Sequence, residues 1–393
     1  MADPDRAAMT DETAARGAWV DVALSAIRGN LDYARALIPQ PVKFMAVVKA
    51  DAYGHGMLEV ARTALAWGCE WLGVGNLAEG LALREAGIAA PCLVLAPPLP
   101  GDEPSYVNAD LVPSIDSQAG AAGMAAAVRS AAAGGAANPR PVHLLIDTGL
   151  GRYGVAPAAA ASLAGEIAAM PELALSGIYT HFARPADRAA GLGELSVFKG
   201  AVAAAEAVAG TIPLHHAAGS EAAVLIPEAR LDLVRLGNLL YGYWAGDRAQ
   251  LPKAAQGVGL RPALTIRCRV AAVRDVARGQ SLGYGGYRAP RAMRIAVLPI
   301  GFSDGVGLRT IQAGAGAFAV FATMAREAVK ATLPAHRPAV LINGKTAPIV
   351  GRVGMQFTLA DVTGIPDVAA GTLAEVPGVR ATAAAGLPRR YLP

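Results

Sequence analysis

The sequence predicts a (β/α)8 TIM barrel followed by a C-terminal antiparallel β domain. Between about residues 43 and 245, short apolar runs alternate with helix-length, Ala-rich stretches, which is the pattern of βα repeats. No Gly-x-Gly-x-x-Gly turn opens that region; a doubly wound open sheet is the alternative that repetition alone allows. Beyond about residue 250, Val- and Ile-rich runs separated by Gly, Pro and Asp turns replace the helical texture.

The elements follow in order. Residues 19–24 (Trp-Val-Asp-Val-Ala-Leu) read as a strand ahead of the first helix. Candidate barrel strands are 43–49, 71–76, 91–97, 107–115, 142–147, 174–181, 212–217 and 231–237. Between them, 56–68, 77–87, 116–134, 156–169 and 194–209 have helix length and good helix formers, with Pro91, Pro141, Pro171 and Pro213 marking junctions. The β domain is expected from the runs 263–277, 293–300, 338–342, 347–350 and 355–362. The expected division is a flexible N-terminus at 1–17, a barrel at 18–248 and a β-rich domain at 249–393. An Ala-rich segment of helical character is inserted at about 313–338.

Composition excludes several classes. Hydrophobic residues make up 53% of the 393, enough for a large core, which argues against disorder. The net charge is +4 with Lys and Arg scattered, so a nucleic-acid partner is not expected. No uncharged stretch reaches the roughly 18 apolar residues of a membrane helix, and Met1 to Gly17 lacks the apolar core of a signal peptide. Cys69, Cys92 and Cys268 are too few and too scattered for a disulfide framework or a zinc site, so no metal is expected. The expected location is the cytoplasm.

The most informative stretch is 47–56, Val-Val-Lys-Ala-Asp-Ala-Tyr-Gly-His-Gly. Lys49 ends an apolar run that reads as a buried parallel strand, which puts it at the C-terminal rim where barrel enzymes collect catalytic groups. Partial desolvation eases loss of its proton and makes the amine a nucleophile able to form a Schiff base. A lone lysine there would read as an ordinary surface residue; the flanking sequence points elsewhere.

This decapeptide resembles the signature of alanine racemases, in which the lysine carries pyridoxal 5′-phosphate. The resemblance spans roughly residues 19–362 and implies a homodimeric amino-acid racemase with shared active sites and alanine as its default substrate; it also places the strand at 19–24 in the β domain. It implies Lys49 as one base and Tyr284, in Ser-Leu-Gly-Tyr-Gly-Gly-Tyr (281–287), as the second, supplied across the dimer interface. The glycines around Tyr284 suggest backbone packed close to a neighbour. Arg235, in Val-Arg-Leu-Gly-Asn (234–238), matches the arginine facing the pyridine nitrogen. A guanidinium keeps its proton, so that nitrogen stays unprotonated, a state favouring racemisation over transamination. His181 in Tyr-Thr-His-Phe-Ala (179–183) matches a cofactor-facing histidine. Tyr53, Ser220, Gly237 and Asn238 are the expected phosphate ligands, Ser220 opening a helix whose amides suit an anion. Arg152 in Asp-Thr-Gly-Leu-Gly-Arg-Tyr-Gly (147–154) and Met355 in Gly-Arg-Val-Gly-Met (351–355) are expected at the substrate.

Five positions depart from the family pattern. Leu145 replaces a lysine that becomes carbamylated and orients the substrate-side arginine. Gln356 replaces an Asp, and Phe302 stands where a pocket-gating Tyr is common. Ala381-Thr382 occupies about where a phosphate-binding Tyr-Glu would stand, and Gly354 replaces a small polar residue or cysteine. These changes imply altered side-chain selectivity or weaker cofactor retention. The alternatives are a decarboxylase on the same two-domain plan, whose Cys and paired acidic motifs are not evident, and a non-catalytic cofactor-binding homologue.

Overall fold

The computed structural model describes residues 15–132, 138–244, 259–307, 338–378 and 386–393. The Ala-rich insertion, Ala381-Thr382 and most of the 1–17 segment lie outside the described residues. The chain divides into two units: Leu24–Ala263, and the N-terminal residues to Ala23 together with Leu264–Pro393.

The chain opens with strand β1 (Ala18–Ala23), which joins the second unit's sheet, and continues into helix α1 (Leu24–Leu37). Eight described strands then form the barrel: β2 (Lys43–Val47), β3 (Trp71–Val74), β4 (Cys92–Val94), β5 (Val112–Ile115), β6 (Arg140–Leu145), β7 (Leu173–Tyr179), β8 (His215–His216) and β9 (Leu233–Leu236). Their spatial order is β8-β7-β6-β5-β4-β3-β2-β9, and every pairing is parallel. Asp232 N–H donates to His215 O at 3.1 Å and Arg235 N–H to Ala218 O at 3.0 Å, which closes the ring between β8 and β9. Met45, Val47, Leu93, Val112, Leu145, Tyr179, Leu214 and Leu233 fill the interior. Alternate residues turn outward, as Phe44 does to stack on Trp67 with ring centroids 5.8 Å apart.

Several boundaries differ from the expected ones for local reasons. The candidate strand 107–115 begins only at Val112, because helix Glu103–Asn108 with Pro near its start occupies the earlier residues; Asp110, at φ 50°, turns the chain into the strand. Helix Arg188–Ala209 starts six residues before the expected 194, capped by Asp187, which accepts from Ala190 N–H. Gly191 is tolerated there because a Cβ would meet Ile226 Cδ1 at 2.3 Å: close packing, not a break, explains the glycine. The 43–49 strand stops at Val47, and the run 263–277 divides into β10 (Leu264–Arg269) and β11 (Ala272–Val276).

The described residues of the second unit hold a nine-stranded sheet in the order β11-β12-β15-β14-β13-β16-β10-β1-β17. Its remaining strands are β12 (Met293–Leu298), β13 (Ala339–Ile342), β14 (Lys345–Val350), β15 (Thr358–Asp361), β16 (Leu373–Val376) and β17 (Arg389–Leu392). Apart from the β1–β17 edge the pairings are antiparallel. Val276, Leu282, Met293, Ile295 and Val350 pack one of its cores. Among the described residues no helix is long and apolar enough to cross a membrane.

Candidate active site

A single cavity at the C-terminal ends of the barrel strands is lined by Lys49, Tyr53, Arg152, His181, Ser220, Arg235, Gly237 and Asn238, every barrel residue that the sequence singles out. Lys49 and Tyr53 follow β2, Arg152 follows β6, His181 follows β7, Ser220 follows β8, and Arg235, Gly237 and Asn238 lie in or after β9, the arrangement by which barrels assemble chemistry from separate loops. Tyr284 and Met355 belong to the second unit.

Lys49 does not end a strand. It begins a five-residue turn, Lys49–Tyr53, in which Ala50, Asp51, Ala52 and Tyr53 all have left-handed backbones, with φ between 51° and 54°. For residues with a Cβ that conformation costs about 1–2 kcal/mol each, so neighbouring contacts must enforce it. They are present. Asp51 Oδ1 accepts from Met57 N–H at 2.7 Å and Glu79 Oε1 from Ala50 N–H at 2.7 Å. Gly54 N–H reaches the carbonyls of Ala50 and Asp51. The amine titrates below the ordinary lysine value of 10.5; burial is the main cause, Arg152 and Arg235 add to it, and Glu79 opposes.

Arg235 is buried and strapped in place. Nη1 donates to His216 Nδ1 at 2.9 Å and His216 O at 3.0 Å. Nη2 donates to Thr180 O at 2.6 Å, Ala217 O at 2.8 Å and His181 Nδ1 at 3.3 Å. Burial lowers its pKa to about 10, so it remains a cation at neutral pH. His181 lines the cavity and is exposed to solvent. Desolvation, then the charges of Arg235, Arg152 and Lys49, push it down to about 3, so it is a neutral imidazole.

Ser220 Oγ accepts from the amides of Gly237 at 2.9 Å and Leu239 at 3.3 Å, so the Gly237 N–H is already engaged. Gly237 is needed for room: a Cβ would stand 2.7 Å from the Tyr53 hydroxyl. Burial raises the Tyr53 pKa, keeping the phenol protonated as a donor. Arg152 sits on a loop organised by Asp147, whose carboxylate accepts from the amides of Gly149, Leu150 and Gly151. Burial alone would raise the Asp147 pKa, but those amides outweigh it and the net shift is down. The Arg152 guanidinium lies 5.9 Å from the Tyr153 ring centroid, and Leu145 packs into the apolar interior beside Tyr179.

In the second unit Tyr284 is 75% exposed, on a loop closed by Leu282 N–H to Tyr287 O at 2.9 Å. Gly283, Gly285 and Gly286 have φ of 63°, 88° and 73°. A Cβ on Gly285 or Gly286 would touch nothing within 4 Å, so within the chain these glycines serve backbone conformation and not close packing. Met355 is also exposed, and its carbonyl accepts from Ser303 N–H and Oγ. Phe302 is 45% exposed nearby in sequence to this pairing.

Sequence reasoning passed over three residues that shape the cavity. Glu79 grips the Lys49 turn, and the Asn76-x-x-Glu79 spacing of a helix start is its only sequence signal. His216 and His143 stand behind Arg235, and a lone histidine carries no such signal.

The family model for the N-terminal domain of alanine racemase matches residues 22–244, and that for the C-terminal domain matches residues 263–387. An alanine racemase of Desulfovibrio desulfuricans is 33% identical over 359 residues, covering 91% of this chain and 88% of the relative. One of Desulfosudis oleivorans is 34% identical over 371 residues, covering 90% and 85%. Among solved structures, alanine racemase from D-cycloserine-producing Streptomyces lavendulae superposes with a TM-score of 0.81 at 28% identity, covering 96% of this chain and 97% of its own. The Clostridium difficile 630 alanine racemase has the same fold, with a TM-score of 0.83 at 24% identity and 96% coverage of both chains.

Proposed function

The chain belongs to the alanine racemase family, and we propose that it interconverts L- and D-alanine by two-base proton transfer, with Lys49 and Tyr284 on opposite faces of the substrate Cα. One observation carries the reading: the same barrel cavity is lined by an amine of lowered pKa and by a buried, donor-only arginine.

The residues present fit pyridoxal 5′-phosphate. A lysine amine, a phenol, a serine hydroxyl and a guanidinium converge on the cavity, and Gly237 leaves open the space against the Tyr53 hydroxyl that a side chain would fill. Lys49 would hold the aldehyde carbon, Tyr53 and Ser220 the phosphate, and Arg235 the ring nitrogen. Bound there, the cofactor supplies an electron sink that makes the Cα proton acidic.

The chain's own part is to bind, orient and move protons. Arg235 cannot act as a proton relay, because a guanidinium gives up no proton, and its carbonyl straps hold it still. Lys49 accepts a proton as a neutral amine, which its lowered pKa makes available nearer neutrality. Tyr284 of the partner subunit serves the other face in a homodimer, a role for which its exposure leaves it free. Arg152 holds the substrate carboxylate, together with the backbone of Met355 of the partner subunit. The enzyme works in the cytoplasm, supplying D-alanine for peptidoglycan. The test is chiral chromatography of L-alanine incubated with protein and pyridoxal phosphate, beside Lys49→Ala. D-alanine formed only with the lysine present supports the reading; amine and carbon dioxide released instead would favour decarboxylation, and no turnover a binding protein.

A further inference from the structure

The lysine turn is held by a carboxylate from the next βα loop. Glu79 is the third residue of the helix Leu77–Glu85, whose cap, Asn76, accepts from Glu79 N–H at 3.0 Å. A glutamate at this helix position ordinarily reaches back to the amide of its own cap residue. Here the carboxylate goes elsewhere. Oε2 accepts from Gly75 N–H at 2.6 Å, and Oε1 crosses to the neighbouring loop to accept from Ala50 N–H at 2.7 Å. One half-buried carboxylate therefore ties the loop after β3 to the residue following Lys49.

A second observation points the same way. A Cβ on Gly75 would stand 3.4 Å from Lys49 Cβ, 3.8 Å from Lys49 Cδ and 3.2 Å from Glu79 Oε2. The Gly75 backbone is thus the wall along which the lysine stem lies, and the same carboxylate holds both that wall and the start of the turn. Because Ala50 begins a run of left-handed residues that no sequence preference supports, losing the Ala50 bond would free the turn to relax and would re-aim the amine.

The geometry points to Glu79 as a positioning residue for Lys49: its carboxylate, bridging the Gly75 and Ala50 amides, sets where the lysine amine stands in the cavity. The inference deepens the racemase reading and rests on it for its kinetic meaning. Glutamine keeps the size but offers one acceptor oxygen and an amide that meets a second N–H donor head-on, so only one of the two bonds survives.

The experiment compares wild type, Glu79→Gln, Gly75→Ala and Asn76→Ala. Asn76→Ala removes the cap of the same helix but neither bond of the bridge. The direct readout is the rate at which Lys49 of cofactor-free protein takes up pyridoxal phosphate, trapped with borohydride and located by peptide mass. Misplacement of the amine by about 1 Å corresponds to roughly a 100-fold loss of rate. Glu79→Gln is expected to fall by about that factor and Gly75→Ala in the same direction, while Asn76→Ala labels like wild type although it melts earlier. Should Glu79→Gln not fold, Gly75→Ala carries the comparison alone.

The kinetic readout is α-hydrogen exchange. Glu79→Gln is expected to slow exchange most from the enantiomer that Tyr284→Phe affects least. Labelling at the wild-type rate in a folded Glu79→Gln or Gly75→Ala protein overturns the proposal, as does equal slowing in Asn76→Ala. A wild type that labels Lys49 in this pattern yet never racemises alanine would uphold the positioning role and sink only the racemase reading.

Discussion

Arg235 Nη1 lies 2.9 Å from His216 Nδ1, and that contact determines the protonation of a buried histidine pair. A guanidinium only donates, so His216 Nδ1 accepts and its proton sits on Nε2. His216 Nε2 is 3.0 Å from His143 Nδ1, which must accept in turn, leaving the His143 proton on Nε2. That atom is buried and has no partner among the described residues. The cation at the cavity is thus backed by two neutral rings of fixed tautomer.

Acid should therefore weaken the fold. Burial first, and the Arg235 charge second, push His143 to about 3 and His216 well below its usual value. Unfolded, each titrates near 6.5, so below about pH 6.5, down to about 3 for His143 and over a window opening at the same pH for His216, the unfolded chain binds protons that the folded chain does not. Stability falls with pH in that window by about 1.4 kcal/mol per pH unit for each histidine, and neither contributes above it. Calorimetric proton uptake on unfolding at pH 5 is expected to drop by about one proton in His143→Leu. An unchanged uptake would show His143 already charged in the fold.

The amine of Lys49 should react under milder alkali than a free lysine. Its pKa lies below 10.5 because burial and two arginines disfavour the ammonium. Acylation of the cofactor-free protein, read at the Lys49 peptide across pH 7 to 11, is expected to show a midpoint under that value. Arg152→Gln removes one of the charges and should move the midpoint upward. A midpoint at or above the free-lysine value would contradict the electrostatic account.

Tyr284→Phe should separate catalysis from folding. The side chain is three-quarters exposed, so its hydroxyl contributes under about 0.5 kcal/mol to stability. As a general base it should matter by roughly 100- to 10,000-fold. The loss is expected in α-hydrogen exchange from one enantiomer of alanine, with the other far less affected and the melting temperature unmoved. Equal losses for both enantiomers would count against two bases on opposite faces.

The barrel was legible because its strands are buried on both sides and stand out as apolar runs bounded by Gly and Pro. Its cavity residues were legible through short motifs at strand ends. What escaped was decided by contacts between segments far apart in sequence. Ala50, Asp51 and Ala52 carry no signal for a left-handed turn, since alanine is the strongest right-handed helix former, and the contacts of Glu79 and Asp51 override it. The helix expected from 194 begins at Arg188, and its Gly191 makes room for Ile226. The glycines beside Tyr284 read as close packing; within the chain Gly285 and Gly286 meet nothing, and all three have positive φ.

The strained turn itself can be tested by relieving it. Ala50 is exposed at φ 51° and ψ 50°, a conformation that costs a residue with a Cβ about 1–2 kcal/mol and glycine little. Ala50→Gly keeps the amide that Glu79 holds, so the bridge survives. Against the relief stands the greater freedom of glycine in the unfolded chain, about 0.4–1 kcal/mol. The first effect is the larger over most of these ranges, and a net gain of about 0–1.6 kcal/mol is expected as a higher melting temperature. Asp51→Ala acts oppositely, removing the acceptor of Met57 N–H where the next helix begins, and should cost about 0.5–2 kcal/mol. If Ala50→Gly instead destabilises by as much as Asp51→Ala, the left-handed turn is not strained, and the contacts around Lys49 do not work against a local preference.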